Sequence, residues 1–398
     1  MLKSLINKRN SLQFLSVIVF LVLLTFIDRT HQASYILFQV VAVLNLFLLP
    51  RKKIFCDKFF IYYGLVLCWG IVVTILSPVA HDSFIALRYW LLPLVLFVAL
   101  YDADLISILK KSLWVPSVLL LIANIVLFMY WTSNGAVYSS TGVVYQKLYY
   151  LIGDWTSKIY TRTVVLCILV FVWFYLEKSI HRNILIIMNL ISGLLSYDRM
   201  FWFSLAIILI CYYFLEKIKL SFCKIIFLLV SIIISIVLIA LLLHYIGMDL
   251  HYKERFATYQ YWFSVIHVSP VVGIGVGRDS LQHFYGHFYP VSAELIARNP
   301  FTPYTSHNFF LDLQVSQGVI GLLIYMIMLT KINITSYKNA IVKNNKYEFV
   351  TLYITLAIFT KFLVDNQLDN RKVLVFWFFI VVSYLINMNN SKQFNKLS

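Results

Sequence analysis

The sequence predicts an all-α membrane protein that crosses the bilayer about twelve times. Hydrophobic residues make up 61% of the 398 residues and charged residues only 13%, and the mean hydropathy is +0.83. This composition leaves too little polar surface to cover a water-soluble domain. The apolar runs are hydrophobic on every face, which favours spanning helices over the alternating strands of a membrane barrel. A water-soluble protein is therefore excluded.

The spans follow from the length of each apolar run, because roughly 20 residues of helix cross a hydrocarbon core. The first run follows Lys3, Lys8 and Arg9, and it ends at Asp28-Arg29 without a small-residue cleavage pattern, so we expect an uncleaved helix. The whole chain, residues 1–398, is expected to form one integral membrane domain. The predicted spans are Leu12–Ile27, Ser34–Leu49, Phe59–Leu76, Phe84–Tyr101, Leu113–Trp131, Thr163–Tyr175, Asn183–Tyr197, Phe201–Phe214, Ile225–Ile246, Phe309–Thr330, Phe349–Val364 and Val373–Ile386.

The positive charges orient the chain. There are 33 Lys and Arg residues against 17 Asp and Glu, a formal net charge of +16. In a soluble protein this excess would suggest nucleic acid, but in a membrane protein basic residues collect on the cytoplasmic side. With the N-terminus inside, 20 of the 33 cations fall in inner loops and 13 lie at the outer side. We therefore expect both termini inside and no nucleic-acid partner.

The five cysteines and the histidine spacing give no sign of a metal or cofactor. Cys68, Cys167 and Cys211 lie within predicted spans, and Cys56 and Cys223 lie at inner ends, so no outer pair is available for a disulfide. The chain has no Cys-x-x-Cys or His-Glu-x-x-His pattern. We expect no metal and no cofactor.

Two outer segments are longer than simple connections. Residues 132–162 are polar and aromatic, and residues 247–306 form a large loop between the ninth and tenth spans. Loops of that length are uncommon unless they are functional. Within the second, Phe256, Tyr259, Phe263 and Ile266 recur at helical spacing, which predicts an amphipathic helix along the membrane surface.

A glycine-rich stretch follows that helix. Ser269-Pro270 breaks the helix, and Gly273, Gly275 and Gly277 come next. The intervals do not fit a dinucleotide-binding fingerprint, and no strand precedes them. We expect a hinge or a mobile turn here.

Three outer histidines need separate interpretations. His283 and His287 are four residues apart and could bind a metal from one helical face, but Gly286 and Pro290 disfavour a helix, so ordinary interfacial histidines are favoured. His307 directly precedes the tenth span. It belongs either to a capping segment in which Ser306 or Asn308 is the cap, or to a site that faces the outer water.

Two outer arginines are candidates for anion binding. Arg199 lies in an almost loop-free turn between the seventh and eighth spans, where it either pairs with Asp198, snorkels, or holds an anion through its forked donors. Arg255, at the start of the amphipathic segment, fits a headgroup contact or the same anion-binding role.

Three segments together carry a resemblance to a known family. They are Ser196-Tyr-Asp-Arg199; Arg255 and Trp262 followed by Ser269-Pro-Val-Val-Gly-Ile-Gly-Val-Gly277; and Ser306-His-Asn-Phe-Phe-Leu-Asp-Leu-Gln-Val-Ser-Gln-Gly318-Val-Ile-Gly321. Over about Leu195 to Leu329 the chain resembles the O-antigen ligase and polymerase superfamily. The His-Asn segment with its two glycines is the most specific part.

The resemblance implies a membrane glycosyltransferase of GT-C-like architecture in the bacterial inner membrane. Its termini would be cytoplasmic, and its active site and large loop periplasmic. The implied donor is a glycan on undecaprenyl diphosphate, a lipid of the same membrane. The reaction would use no nucleotide sugar and no metal. Arg199 and Arg255 would stabilise the departing diphosphate, and His307 would act as the base that deprotonates the acceptor.

The acceptor separates two functions within the superfamily. An O-antigen ligase transfers the glycan to lipid A-core oligosaccharide, and a polymerase transfers it to the next lipid-linked repeat unit. The single dominant outer loop favours the ligase, whereas residues 132–162 keep the polymerase open. A transporter of lipid-linked oligosaccharide is a third possibility, although the two halves show no repeat of the kind that transporters have.

Overall fold

The computed structural model describes most of the predicted spans. The described residues are 2–26, 31–133, 158–195, 199–217, 252–277, 308–343, 349–362 and 372–397, with residues 224, 227, 280, 281, 283, 284, 292, 293, 296 and 306 between them. All regular structure in these ranges is helical. The α-helices are α1 (Leu2–Phe26), α2 (His31–Leu48), α3 (Arg51–Phe55), α4 (Lys58–Leu76), α5 (Ala80–Trp90), α6 (Leu92–Leu100), α7 (Leu105–Ser112), α8 (Trp114–Ser133), α9 (Lys158–Tyr175), α10 (Ile180–Leu195), α11 (Arg199–Tyr212), α12 (Tyr252–Ile266), α13 (Phe309–Lys343), α14 (Val350–Phe362) and α15 (Lys372–Leu397).

Eleven of the twelve predicted spans fall on helices. Five stretches within α1, α4, α5–α6, α7–α8 and α13 are long and apolar enough to cross a membrane, and shorter apolar helices occupy six further predicted runs. The remaining run, Ile225–Ile246, lies almost entirely outside the described residues. The chain is thus an all-α membrane-embedded protein, while the total of twelve spans and the GT-C-like arrangement stay predictions.

Several polar side chains are buried between the helices, while some large apolar side chains are exposed on the surface of the bundle. Ile75 at the end of α4 is 73% exposed, as expected for a side chain that faces lipid. Between α8 and α10, the buried Asn124 amide donates to the Ser192 hydroxyl at 2.6 Å, and Asn189 donates to Ser117 at 3.0 Å. Such interhelical hydrogen bonds hold helices together where hydrocarbon offers no other partner.

The centre of the bundle is a cluster of aromatic side chains from α4, α6, α13 and α15. Phe59 stacks on Phe97 with ring centroids 5.1 Å apart, and Tyr63 packs edge-on against Trp377 at 4.9 Å. Tyr325 of α13 contacts the same tryptophan at 6.0 Å. These contacts fix α13, which begins directly after the His-Asn segment, against the rest of the fold.

A helix, α12, is present where the amphipathic segment was predicted; its place in an outer loop along the membrane surface stays a prediction. The side it presents to the protein is formed by Thr258, Trp262 and Val265, all fully buried, while Phe263 is 57% exposed. Trp262 and Val265 pack with Leu311 and Val315 of α13. The Trp262 side therefore forms the buried contact with the protein, Tyr259 and Ile266 of the predicted stripe pack against it, and Phe263 of the stripe is left outward.

Candidate functional site

The segment around His307 is fixed by hydrogen bonds on both sides. His307 lies outside the described residues, whereas its neighbours Ser306 and Asn308 are described. The side-chain oxygen of Asn308 accepts the backbone N–H groups of Phe310 at 3.0 Å and Leu311 at 3.1 Å. Asn308 is therefore the N-cap of α13.

Ser306 reinforces this cap. Its hydroxyl donates to the carbonyl oxygen of Asn308 at 2.9 Å and accepts the Asn308 N–H at 3.1 Å. Its own N–H donates to the carboxylate of Asp312 at 2.7 Å, and both Ser306 and Asp312 are buried. These bonds join residue 306, on one side of His307, to residues 308 and 312 on the other. The sequence predicted the cap but not the role of Asp312. An acidic residue one turn into a helix is the signal that could have indicated that role.

Arg199 is the first residue of α11, and its side chain is not among those described. The preceding helix ends at Leu195, so only three residues join the two helices. The two helices approach closely where Gly193 leaves room for the ring of Phe201: a Cβ added at Gly193 would lie 2.2 Å from that ring. Gly193 is the sequence signal for this close approach, and it was missed.

Arg255 lies in the first turn of α12, and its side chain is likewise outside the described part. Its helix is placed by the contacts of Trp262 and Val265 with the first two turns of α13. The position of Arg255 is thus tied to the helix that begins beside His307.

The start of α11 is linked to the start of α13 through α14, and α12 packs on the first turns of α13. The ring of Phe309, first residue of α13, lies 5.7 Å from that of Phe359 in α14. The next residue of α14, Thr360, shares a 2.6 Å hydrogen bond with Ser204, five residues into α11. The start of α11, the start of α13 and the end of α14 therefore lie at one end of the bundle, with α12 packed beside them.

The glycine-rich stretch is a buried element packed on a break in α13. Gly318 has φ 66° and ψ −177° within that helix, so the helix is interrupted there and freed backbone groups need partners. Residues 273–276 are buried, and backbone N–H groups of this stretch donate to freed carbonyl groups of α13. The indole N–H of Trp69 donates to a further carbonyl group. The donor and acceptor pairs are Ile274 N to Val315 O at 3.0 Å, Gly275 N to Ser316 O at 3.1 Å, Val319 N to Pro270 O at 2.9 Å and Trp69 Nε1 to Gln317 O at 2.9 Å.

This arrangement corrects the predicted mobile hinge. A turn is present, but its backbone is docked against α13 at a separation that only glycine allows: a Cβ at Gly273 would lie 2.4 Å from the carbonyl of Ser316. Two serines complete the dock, since the Ser77 hydroxyl donates to the Ile274 carbonyl at 2.7 Å and the Ser83 hydroxyl accepts the Val276 N–H at 2.8 Å. Irregular backbone at membrane depth is stable when protein covers it in this way.

His283 is joined to α5. Its Nδ1 lies 2.6 Å from the carboxylate of Asp82, in the first turn of that helix, and the histidine is about half exposed. The pair ties residue 283 to the first turn of α5. Among the described residues there is no group of three His, Cys, Asp or Glu side chains placed to hold a metal; metal independence stays a prediction.

The described fold defines a class: helices apolar enough to cross a membrane, among which the helix that begins at Arg199 and the helix that contains Arg255 are linked to the start of α13, the first through α14 and the second directly. Residues 184–326 match the family described as O-antigen ligase. This match covers a little over a third of the chain, includes the positions of Arg199, Arg255 and His307, and confirms the resemblance to the O-antigen ligase superfamily. No curated protein matches the chain.

Proposed function

We propose that the protein is the O-antigen ligase of lipopolysaccharide biosynthesis, a metal-independent glycosyltransferase of the bacterial inner membrane. Its donor is a glycan on undecaprenyl diphosphate, and its acceptor is lipid A-core oligosaccharide. The observation that carries the proposal is the family match over residues 184–326, which includes the positions of Arg199, Arg255 and His307.

The reaction replaces one bond to the anomeric carbon by another. An acceptor hydroxyl oxygen attacks that carbon, the bond from the carbon to the diphosphate oxygen breaks, and the diphosphate leaves with the electron pair. Negative charge grows on the diphosphate as the bond breaks, so fixed guanidinium groups lower the barrier most when they face it. Arg199 and Arg255 take this role.

His307 takes the acceptor proton. A neutral imidazole accepts a proton near neutral pH, and a rigid attachment keeps it at the reacting hydroxyl. The bonds that fix Ser306 and Asn308 support this assignment because they hold the backbone on both sides of the histidine. The site faces the periplasm, and both termini are cytoplasmic.

The catalytic assignment is tested with purified enzyme, lipid-linked donor and acceptor. His307→Ala is expected to lower kcat at least 100-fold, as loss of a general base does. Arg199→Ala and Arg255→Ala are expected to lower kcat/KM for the donor, with Lys at either position restoring part of it. His267→Ala, an exposed histidine of the same loop, is the control and should retain activity. Normal transfer by His307→Ala in folded protein removes the base assignment.

The acceptor is tested in a deletion strain. Loss of long chains from lipid A-core, with polymer left on undecaprenyl diphosphate, identifies a ligase. One repeat unit attached to the core identifies instead the polymerase, the alternative that the polar segment 132–162 supports. A transporter would form no new glycosidic bond in detergent, where no membrane separates donor from acceptor.

The orientation is tested by accessibility. A tag at residue 285 is expected to react with a membrane-impermeant reagent from the periplasmic side, and a tag at residue 340 only after the inner membrane is opened. The reverse labelling would overturn the proposed topology and the periplasmic site with it.

A further inference from the structure

Asp312 is a buried carboxylate at the end of the bundle where the candidate site lies. It is 2% exposed, and among the described residues only Asp312 and Arg9 are charged side chains that are buried. Burial of a carboxylate is costly unless its charge is compensated or used. The position of Asp312 in the first turn of α13 gives partial compensation, because the positive end of the helix dipole lies there.

The cap of α13 does not account for this carboxylate. Asn308 already accepts the N–H groups of Phe310 and Leu311, and the N–H of Asp312 donates to the Asn308 carbonyl as the first helical bond. The side chain of Asp312 instead reaches back beyond the cap to the N–H of Ser306, at 2.7 Å. Its negative charge is thus held on the residue that directly precedes His307.

His307 is the one other ionisable residue between Ser306 and Asp312 in the sequence. Consecutive Cα atoms are about 3.8 Å apart, so a carboxylate bound to the amide of residue 306 acts at short range on residue 307. A carboxylate next to a histidine base orients the ring and stabilises the imidazolium that forms when the base takes a proton.

We propose that Asp312 is a positioning residue for His307: its carboxylate holds the 306–308 segment and stabilises the charge that His307 gains from the acceptor hydroxyl. This inference rests on the proposed function, in which His307 is the base. Asp312 acts through the histidine and does not contact either substrate.

The test separates the charge of Asp312 from its hydrogen bond. Asp312→Asn keeps an oxygen that can accept the Ser306 N–H and removes the charge, whereas Asp312→Ala removes both. For Asp312→Asn we expect kcat to fall about 10- to 100-fold with the KM of donor and acceptor unchanged. Wild-type kcat in Asp312→Asn would mean that the side chain has only a structural role and would overturn the proposal.

Asp57→Asn is the matched control. Asp57 is also an acidic residue at a helix start, where its carboxylate accepts the Phe59 N–H and the Tyr384 hydroxyl, both at 2.9 Å. The same change there should leave kcat unaltered. If Asp312→Asn does not fold, the comparison is repeated with Asp312→Glu and Asp312→Gln, which share a size and differ in charge. Higher kcat in the Glu variant supports the proposal, and equal kcat contradicts it.

The failure of this inference can be told from failure of the proposed function. If His307→Ala is active, the base assignment itself is wrong. If His307→Ala is inactive and Asp312→Asn has normal kcat, only the role of Asp312 is wrong. If His307 is the base and Asp312 acts through it, adding Asp312→Asn to His307→Ala should leave the residual rate unchanged, because the carboxylate then has no base to act on.

Discussion

Gly318 lies against Val271 so closely that a Cβ added at Gly318 would come within 2.1 Å of the Val271 carbonyl oxygen. Two irregular backbones, the break in α13 and the docked glycine-rich stretch, therefore meet without a side chain between them. The break has positive φ, a conformation that costs a residue with a Cβ about 1–3 kcal/mol before any clash is counted.

Gly318→Ala is accordingly expected to lower the thermal unfolding temperature clearly and to reduce transfer activity, because the dock beside the start of α13 is displaced. The measurement is the unfolding temperature of purified protein in detergent. Gly64→Ala is the control: Gly64 lies within α4, and an added Cβ there meets nothing within 4 Å. An equal effect of the two changes would contradict the close contact.

Removal of the cap at Asn308 should cost about 0.5–2 kcal/mol. Asn308→Ala loses the acceptor for the N–H groups of Phe310 and Leu311, whereas Asn308→Asp retains it. We expect the Ala variant to unfold at a lower temperature and to have lower kcat, and the Asp variant to be close to the wild type in stability. Equal unfolding temperatures for the two variants would argue against the cap.

Gly193→Ala should disturb the turn that leads to Arg199. The new methyl group would collide with the buried ring of Phe201, and overpacking of this kind typically costs about 1–3 kcal/mol. The double variant Gly193→Ala, Phe201→Leu removes ring atoms and should recover part of the lost stability. The sign of the coupling in this double-mutant cycle is the measurement, and additive losses would show that the two positions do not meet.

The contact between Asp82 and His283 can be tested by cross-linking. In a variant whose five native cysteines are replaced, Asp82→Cys and His283→Cys should be joined within one chain by a short bismaleimide, since the native side chains are 2.6 Å apart. Asp82→Cys with His181→Cys is the control, because His181 lies at the start of α10, on the predicted cytoplasmic side. If each cysteine reacts by itself but no cross-link forms between positions 82 and 283, the contact between residue 283 and α5 is contradicted.

The long helices could be predicted because a helix that crosses the hydrocarbon core needs a run of roughly 20 apolar residues. The run Phe59–Leu76 agrees with α4, Lys58–Leu76, to within one residue, because apolar side chains face lipid or core along its whole length. Shorter helices escaped the same reasoning. Arg51–Phe55 carries three consecutive cations and no long apolar run, so nothing in its composition marks it as helical.

The site was less predictable because backbone contacts leave little trace in side-chain pattern. The positions of Gly273 and Gly318 can be read from the sequence, but their contacts cannot. Nothing in their spacing shows that each glycine lies against the backbone of the segment that contains the other. The side of α12 that is buried against the protein could not be predicted for a related reason. Tyr259 and Phe263 are as apolar as Trp262, and only the partner surface on α13 decides that Trp262 is the buried one.

The dock has a consequence for how the protein is made. The glycine-rich stretch leaves the ribosome before α13, so the N–H groups of Ile274 and Gly275 precede their acceptors at Val315 and Ser316. Lipid offers these groups no partner, and water must satisfy them until the later helix is in place. The dock can therefore form only after α13 has been made, and the groups of the glycine-rich stretch depend on water until then.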